Sequence, residues 1–158
     1  MDLTFQMPEG RFNYRVCAII VHDGKLLTMK DKRSPYYYLP GGRVALHETA
    51  EQAVLREVRE ELQIDAAIVR PLWMAQSFFT EDVTGERFHE VCLYFLMDVS
   101  NTDLLVRGET FTGPEIKNGQ AFYWLSFDQV EREYLYPSFL KKQIRHLPES
   151  LTLLTEIE

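Results

Sequence analysis

Gly41-Gly42-Arg43-Val44-Ala45-Leu46-His47-Glu48-Thr49-Ala50-Glu51-Gln52-Ala53-Val54-Leu55-Arg56-Glu57-Val58-Arg59-Glu60-Glu61-Leu62-Gln63-Ile64 is the stretch that decides the fold of this chain. A diglycine turn leads into a helix-forming run. Thr49-Ala50-Glu51-Gln52 has the pattern of a capping box, with Thr49 as the cap and Gln52 at N3. At about 100° per residue, Glu57, Glu60 and Glu61 fall within an arc of roughly 100° that overlaps Ala50, Ala53 and Val54. An ordinary amphipathic helix keeps its apolar stripe there. Carboxylates three and four residues apart repel by about 0.2–0.5 kcal/mol per pair when exposed, and by more when partly buried. A divalent cation among them would account for the placement.

Outward from this stretch the chain reads as alternating strands and helices. Phe12 to His22 is rich in Val, Ile and aromatics, and Asp23-Gly24 then signals a hairpin into a returning strand from Lys25 to Lys30. Tyr36 to Leu39 reads as a short strand that Pro40-Gly41-Gly42 ends. Beyond the helix, 64–69 and 73–80 read as extended segments broken at Pro71, and Phe88 to Val99 as a central strand covered on both faces. Asn101 to Gly119 reads as a long polar loop, a length that usually signals function or disorder. Ala121 to Leu125 is the last strand expected. A helix from Phe127 to Glu133 follows the Ser126 cap, and a second runs from Pro137 to His146. The tail from Pro148 to Glu158 fits neither template. This order predicts a single α/β domain over residues 1–158, with a mixed β-sheet sandwiched between α-helices.

Composition narrows the classes of partner. With 158 residues, 46% hydrophobic and 26% charged, the chain is expected to be one soluble globular unit. A net charge of −7 argues against sequence-blind binding to duplex nucleic acid, which needs a basic face. It leaves room for a small anion chelated to a metal, because the metal supplies the attraction locally. There is no apolar run of membrane-spanning length, and the first residues lack the basic and apolar regions of a secretion signal, so a cytoplasmic location is expected. Cys17 and Cys92 lack CxxC spacing and are expected to be free, buried thiols.

At the opening stretch the chain resembles the Nudix hydrolase signature. That signature is Gly, five residues, Glu, seven residues, then Arg-Glu-aliphatic-any-Glu-Glu-any-Gly-aliphatic. Gly42, Glu48, Arg56, Glu57, Val58, Glu60, Glu61 and Ile64 fall on it in register, and Gln63 stands where the family has Gly. Such a Gly would occupy the left-handed position just past the helix end, where Gln costs on the order of 1 kcal/mol if φ stays positive. No ligand is lost with it.

The resemblance implies a pyrophosphohydrolase that cleaves a nucleoside diphosphate linked to another group, using Mg²⁺ or Mn²⁺. It implies Glu57, Glu60 and Glu61 as carboxylate ligands and the Gly41 carbonyl as a further one. Oxygen ligands of this kind suit those ions. It also implies Glu57 as a candidate base and a Glu48–Arg56 ion pair bracing the loop against the helix. Glu115 resembles the acid often found before the family's last strand, and Glu90 is its rival for a base or further ligand outside the signature. Glu109 is a weaker candidate. The alternative is a nucleotide-binding or regulatory domain of the same fold that does not hydrolyse, whose usual mark is erosion of the carboxylates.

Arg43, directly after the diglycine, is the best candidate for binding phosphate; Arg15, Lys30, Lys32 and Arg33 are read as solvated by default. Tyr36, Tyr37 and Tyr38 fit a base-stacking wall or plain packing equally well. Trp73, Phe78 and Phe79 are read as core. His22, His47, His89 and His146 lack metal-ligand spacing. A small-molecule nucleotide is the expected substrate. Its identity stays open among nucleoside triphosphates, nucleotide sugars, dinucleoside polyphosphates and capped RNA ends; the ADP-ribose marker proline beyond the signature is not found, since Pro71 comes too early. Many relatives form homodimers, but no interface is legible in this sequence.

Overall fold

The computed structural model describes residues 1–114 and 116–158. Among the described residues, two sheets and three α-helices carry the architecture. In the larger sheet, β1 (Thr4–Met7), β2 (Gly10–Ile19), β7 (Arg87–Asp98), β6 (Ala67–Thr80) and β10 (Thr152–Ile157) lie side by side in that order, and β5 (Gly41–Arg43) also pairs with β2. The smaller sheet runs β3 (Val21–His22), β4 (Lys25–Lys30), β9 (Ala121–Ser126), β8 (Thr110–Thr112). Pairing of β2 with β7 and of β6 with β10 is parallel and the other pairings in the larger sheet are antiparallel, so the sheet is mixed as expected.

Side-chain alternation along β2 divides two cores. Val16 and Ala18 pack toward Ala53, Val54 and Val58 of α1 (Ala50–Leu62). Cys17 and Ile19 face the other way, toward Val130 of α2 (Phe127–Arg132) and Leu140 of α3 (Leu140–Gln143). The sheet is therefore covered on both faces. Burying both faces is why β7, the central strand, reads as a near-continuous apolar run.

Several expected elements take a different form. The run from Phe12 to His22 divides at Ile20, where the chain leaves the larger sheet and enters the smaller one; the Asp23-Gly24 hairpin then forms with both residues at positive φ. Pro71 does not break the extended segment. β6 runs through it, with register irregularities on either side where a missing N–H is tolerated. Tyr36 to Leu39 forms no strand: Tyr38 bridges Met29 while Tyr37 bridges Leu135, so the segment follows no single neighbour. The 101–119 region contains a 3₁₀ turn at Leu104–Val106 and strand β8. The helix expected from Pro137 shrinks to α3, after a cis Tyr136–Pro137 bond. The ambiguous tail supplies β10, whose parallel pairing with β6 no local pattern announced.

Candidate active site

Thr49 caps α1 as expected. Its Oγ1 accepts from the Gln52 backbone N–H at 3.1 Å, and the Gln52 Oε1 accepts from the Thr49 N–H at 2.9 Å. At the other end Gln63 takes the left-handed conformation, φ 56 and ψ 40, and its N–H donates to the Arg59 carbonyl. Glutamine thus keeps the backbone route that glycine favours, at the strain cost of a Cβ.

The helix faces β5, and the two glycines allow the close approach. A Cβ on Gly42 would stand 2.3 Å from Glu57 Oε1, and one on Gly41 would stand 2.2 Å from the Val16 carbonyl. In this space Glu61 Oε1 accepts from the Gly41 N–H at 3.0 Å. Glu57 lies beside it, its side chain only 15% exposed. Burial raises the carboxyl pKa of both. Glu61 is pushed up to about 9, mainly by burial and then by the Glu57 charge, against the Gly41 N–H, which favours ionisation.

Arg56 holds the loop to the helix. Its guanidinium forms a two-pronged contact with Glu48, at 2.7 and 2.9 Å, and donates to the Arg43 carbonyl at 3.1 Å. Its remaining prong reaches Glu57 at 2.9 Å and Glu60 at 3.4 Å. Glu48 in turn accepts from the Ala45 N–H at 2.9 Å. The Arg56 hydrogen bonds hold the Glu48 carboxyl below its ordinary pKa, the reverse of Glu61.

The signature residues therefore divide. Glu57 and Glu61 converge, while Glu60, 58% exposed at its side chain, turns to Arg56. Among the described residues no three His, Cys, Asp or Glu side chains converge on one metal position. Arg43, on β5, is half-buried and paired through its backbone with Arg15; its side chain has no ion-pair partner among the described residues. Glu115 lies outside the described residues. Glu90 is buried on β7 and does not join Glu57 and Glu61: Asn13 Nδ2 donates to it at 3.4 Å and Arg15 stands 3.7 Å away. Glu109, exposed, pairs with Lys25.

A cavity of about 260 Å³ opens beside this site. Its lining includes Cys17, the register partner of Gly41, and none of Glu57, Glu60 and Glu61. Tyr36, Tyr38, Tyr94 and Tyr136 also line it. The tyrosine run thus splits. Tyr36 meets Tyr136 edge-on at 4.8 Å in the cavity, and Tyr37 packs between Lys30 and Tyr123. Phe78 and Phe79, read as core, line the cavity instead, while Trp73 is core as expected. Arg15, read as solvated, lines the cavity beside Glu90. Tyr94, Asp82, Tyr136 and Glu156 escaped the sequence reading because no local spacing marks them; β10 and the segment after α2 reach the cavity only through tertiary packing.

Residues 11–147 match the family model for the NUDIX domain. The chain belongs to this family. It is 30% identical, over 110 residues, to an ADP-ribose pyrophosphatase of Methanocaldococcus jannaschii, a match covering 68% of this chain and 59% of that protein. This chain thus spans under two thirds of that relative's length. It is 26% identical, over 141 residues, to an RNA pyrophosphohydrolase of Hydrogenovibrio crunogenus, covering 82% of this chain and 86% of that one. In fold it is similar to a MutT protein from Bacillus halodurans, with a TM-score of 0.58 at 15% identity over 89% of this chain and 88% of the other. The family generally uses divalent metals, and the two curated relatives are named as a pyrophosphatase and a pyrophosphohydrolase. No helix among the described residues is long and apolar enough to cross a membrane.

Proposed function

We propose that this Nudix hydrolase is a Mg²⁺- or Mn²⁺-dependent enzyme that cleaves a nucleoside diphosphate linked to another group, by attack of water at phosphorus. The observation that carries this is the buried Glu57–Glu61 pair, two carboxylates held together against the Gly41 turn, with the nearest cation, Arg56, engaged chiefly by Glu48. Such a donor set is all oxygen and anionic, and it fits a hard divalent ion. Glu57 and Glu61 would hold the ion, with Glu60 and the Gly41 carbonyl as further ligands.

When bound, that ion neutralises phosphate charge and lowers the pKa of a water at the reacting phosphorus. The chain's own residues do the rest. Glu57, as ligand or as base, or else Glu115 would take the proton of the attacking water; Glu90, which does not join the carboxylate pair, is left to the cavity. Glu48 and Arg56 hold the loop so that the Gly41 backbone and Glu61 stay within 3.0 Å of each other. Arg43, its guanidinium without an ion-pair partner among the described residues, meets the phosphates. The cavity beyond Cys17 takes the nucleoside or the group it carries. Nucleoside triphosphates, nucleotide sugars, ADP-ribose and 5′-triphosphate RNA form the panel, the last two suggested by the relatives' names.

Product release over this panel, with Mg²⁺ and with Mn²⁺, tests the reading. At least one compound is expected to turn over in a metal-dependent way, and Glu61→Gln is expected to lower kcat by orders of magnitude while the melting transition persists. Undiminished turnover in that variant removes Glu61 from the mechanism.

A further inference from the structure

The cavity has a charge pattern that the carboxylate site does not require. Among the described residues five acids line it, Glu81, Asp82, Glu90, Glu156 and Glu158, against one cation, Arg15. Burial raises the Glu158 carboxyl above its ordinary range, and the Asp82 and Glu156 charges add to the shift. Aromatic faces and edges fill the remaining wall, with Tyr36 and Tyr136 in contact. An anionic group entering this space would meet repulsion from the rim.

Glu90 is the deepest of these acids, and it is under-used. It is 9% exposed, yet its two contacts span 3.4 and 3.7 Å, longer than the roughly 2.8 Å of a good charge-assisted hydrogen bond. An ionised carboxylate accepts about four hydrogen bonds and donates none. Its neighbour Asn13, 3% exposed on the same face of the sheet, has an Oδ1 with no partner among the described residues. Ser77, opposite Glu90 on β6, also lines the cavity, and Glu156 of β10 follows in the same transverse row. The sheet thus presents buried acceptor capacity that the protein itself leaves unfilled. The volume of about 260 Å³ equals that of roughly eight or nine waters, room for one base or small headgroup.

We infer that the cavity selects the group attached to the diphosphate by its N–H donors, and that Glu90 is the residue that reads them. This rests on the proposed hydrolysis of nucleoside diphosphate derivatives. Two kinds of group carry the required chemistry: a base with an amino or imino N–H edge, or an amine headgroup, whose positive charge also suits the aromatic wall. A group offering only acceptors at that edge leaves the carboxylate desolvated with only its long contacts to Asn13 and Arg15, and a site of this kind rejects it strongly.

Two matched pairs distinguish the sources. ATP against purine riboside triphosphate removes the amino group, and with it every N–H donor, from the pairing edge of a base, and CDP-ethanolamine against CDP-glycerol removes an amine from a headgroup. The donor-bearing member of one pair is expected to lead by tenfold or more in kcat/KM, and Glu90→Gln is expected to shrink that ratio to within about threefold. A variant merely misfolded loses both members equally and leaves the ratio in place. Ratios within twofold in both pairs for the unmodified protein overturn the inference, as does a preference that Glu90→Gln leaves untouched. Calorimetric binding of the same compounds with Ca²⁺ present reads the preference without turnover. Selective binding with no hydrolysis under Mg²⁺ or Mn²⁺ sinks the hydrolase reading and keeps this one; hydrolysis without selectivity does the reverse.

Discussion

Glu61→Gln separates stability from chemistry in this site. In the metal-free protein the Glu61 carboxyl titrates at about 9, against an ordinary value of 4.5. Between those values the folded state binds more protons than the unfolded chain. Stability therefore falls as pH rises through the window, and the full contribution is present only below about 4.5. At pH 7 the difference of roughly 2.5 units, at about 1.36 kcal/mol each, amounts to about 3 kcal/mol. Glutamine conserves volume and keeps an oxygen to accept the Gly41 N–H, but it carries no charge toward Glu57. The chelated variant is expected to gain about 3 kcal/mol at pH 7, or roughly 6–12 °C in Tm for a chain of this size. Its melting temperature loses most of its dependence on pH between 5 and 9. Saturating Mg²⁺ or Mn²⁺ restores the unmodified protein, by about 2.7 kcal/mol at a hundredfold excess over Kd, and does much less for the variant. Melting curves by circular dichroism over pH 5–9, with chelator and with metal, check this. A chelated variant no more stable than its parent at pH 7 refutes the idea of a carboxylate pair strained until a cation joins it.

Gly42→Ala places a Cβ 2.3 Å from the Glu57 oxygen, so the carboxylate must shift; kcat is expected to fall at least tenfold with the fold retained, read by steady-state kinetics beside a melting curve. Gln63→Gly relieves the left-handed strain at φ 56, and a gain of about 1 kcal/mol is expected in urea unfolding, with activity unchanged. Arg56→Lys cannot reproduce the two-pronged contact to Glu48 together with the bonds to Arg43 and Glu57; a loss of about 2 kcal/mol in stability and tenfold or more in kcat/KM is expected.

Legibility followed the range of the interaction. The helix from Ala50, its capping box and the division of its faces were readable because each depends on residues within two turns of one another. Spacing also marked Glu57 and Glu61 as neighbours, while the resemblance to the Nudix signature implied Glu48 and Arg56 as a brace. Glu60 shares the arc but sits at its solvent edge, where Arg56 is the nearer partner. Pro71 misled because a proline's missing N–H matters only where the ladder needs it, and the irregularities of β6 and β7 surround it. Phe78 and Phe79 misled because an apolar residue reads the same whether it faces core or cavity.

What the sequence by itself determined is the proposed reactive end of the molecule: a diglycine turn, a capped helix and carboxylates at fixed helical intervals. The helix period converts spacing directly into a face. What only the tertiary structure decided is the cavity proposed to read the nucleotide's attached group. There Glu90 on β7, Ser77 on β6, Glu156 on β10 and Tyr136 after α2 meet around one cavity. They lie on segments far apart in the chain, joined by sheet registers that the local pattern does not encode. The same sheet brings Arg15 beside Glu90 and sets Arg43 against β2, giving each charge a place that composition alone could not assign.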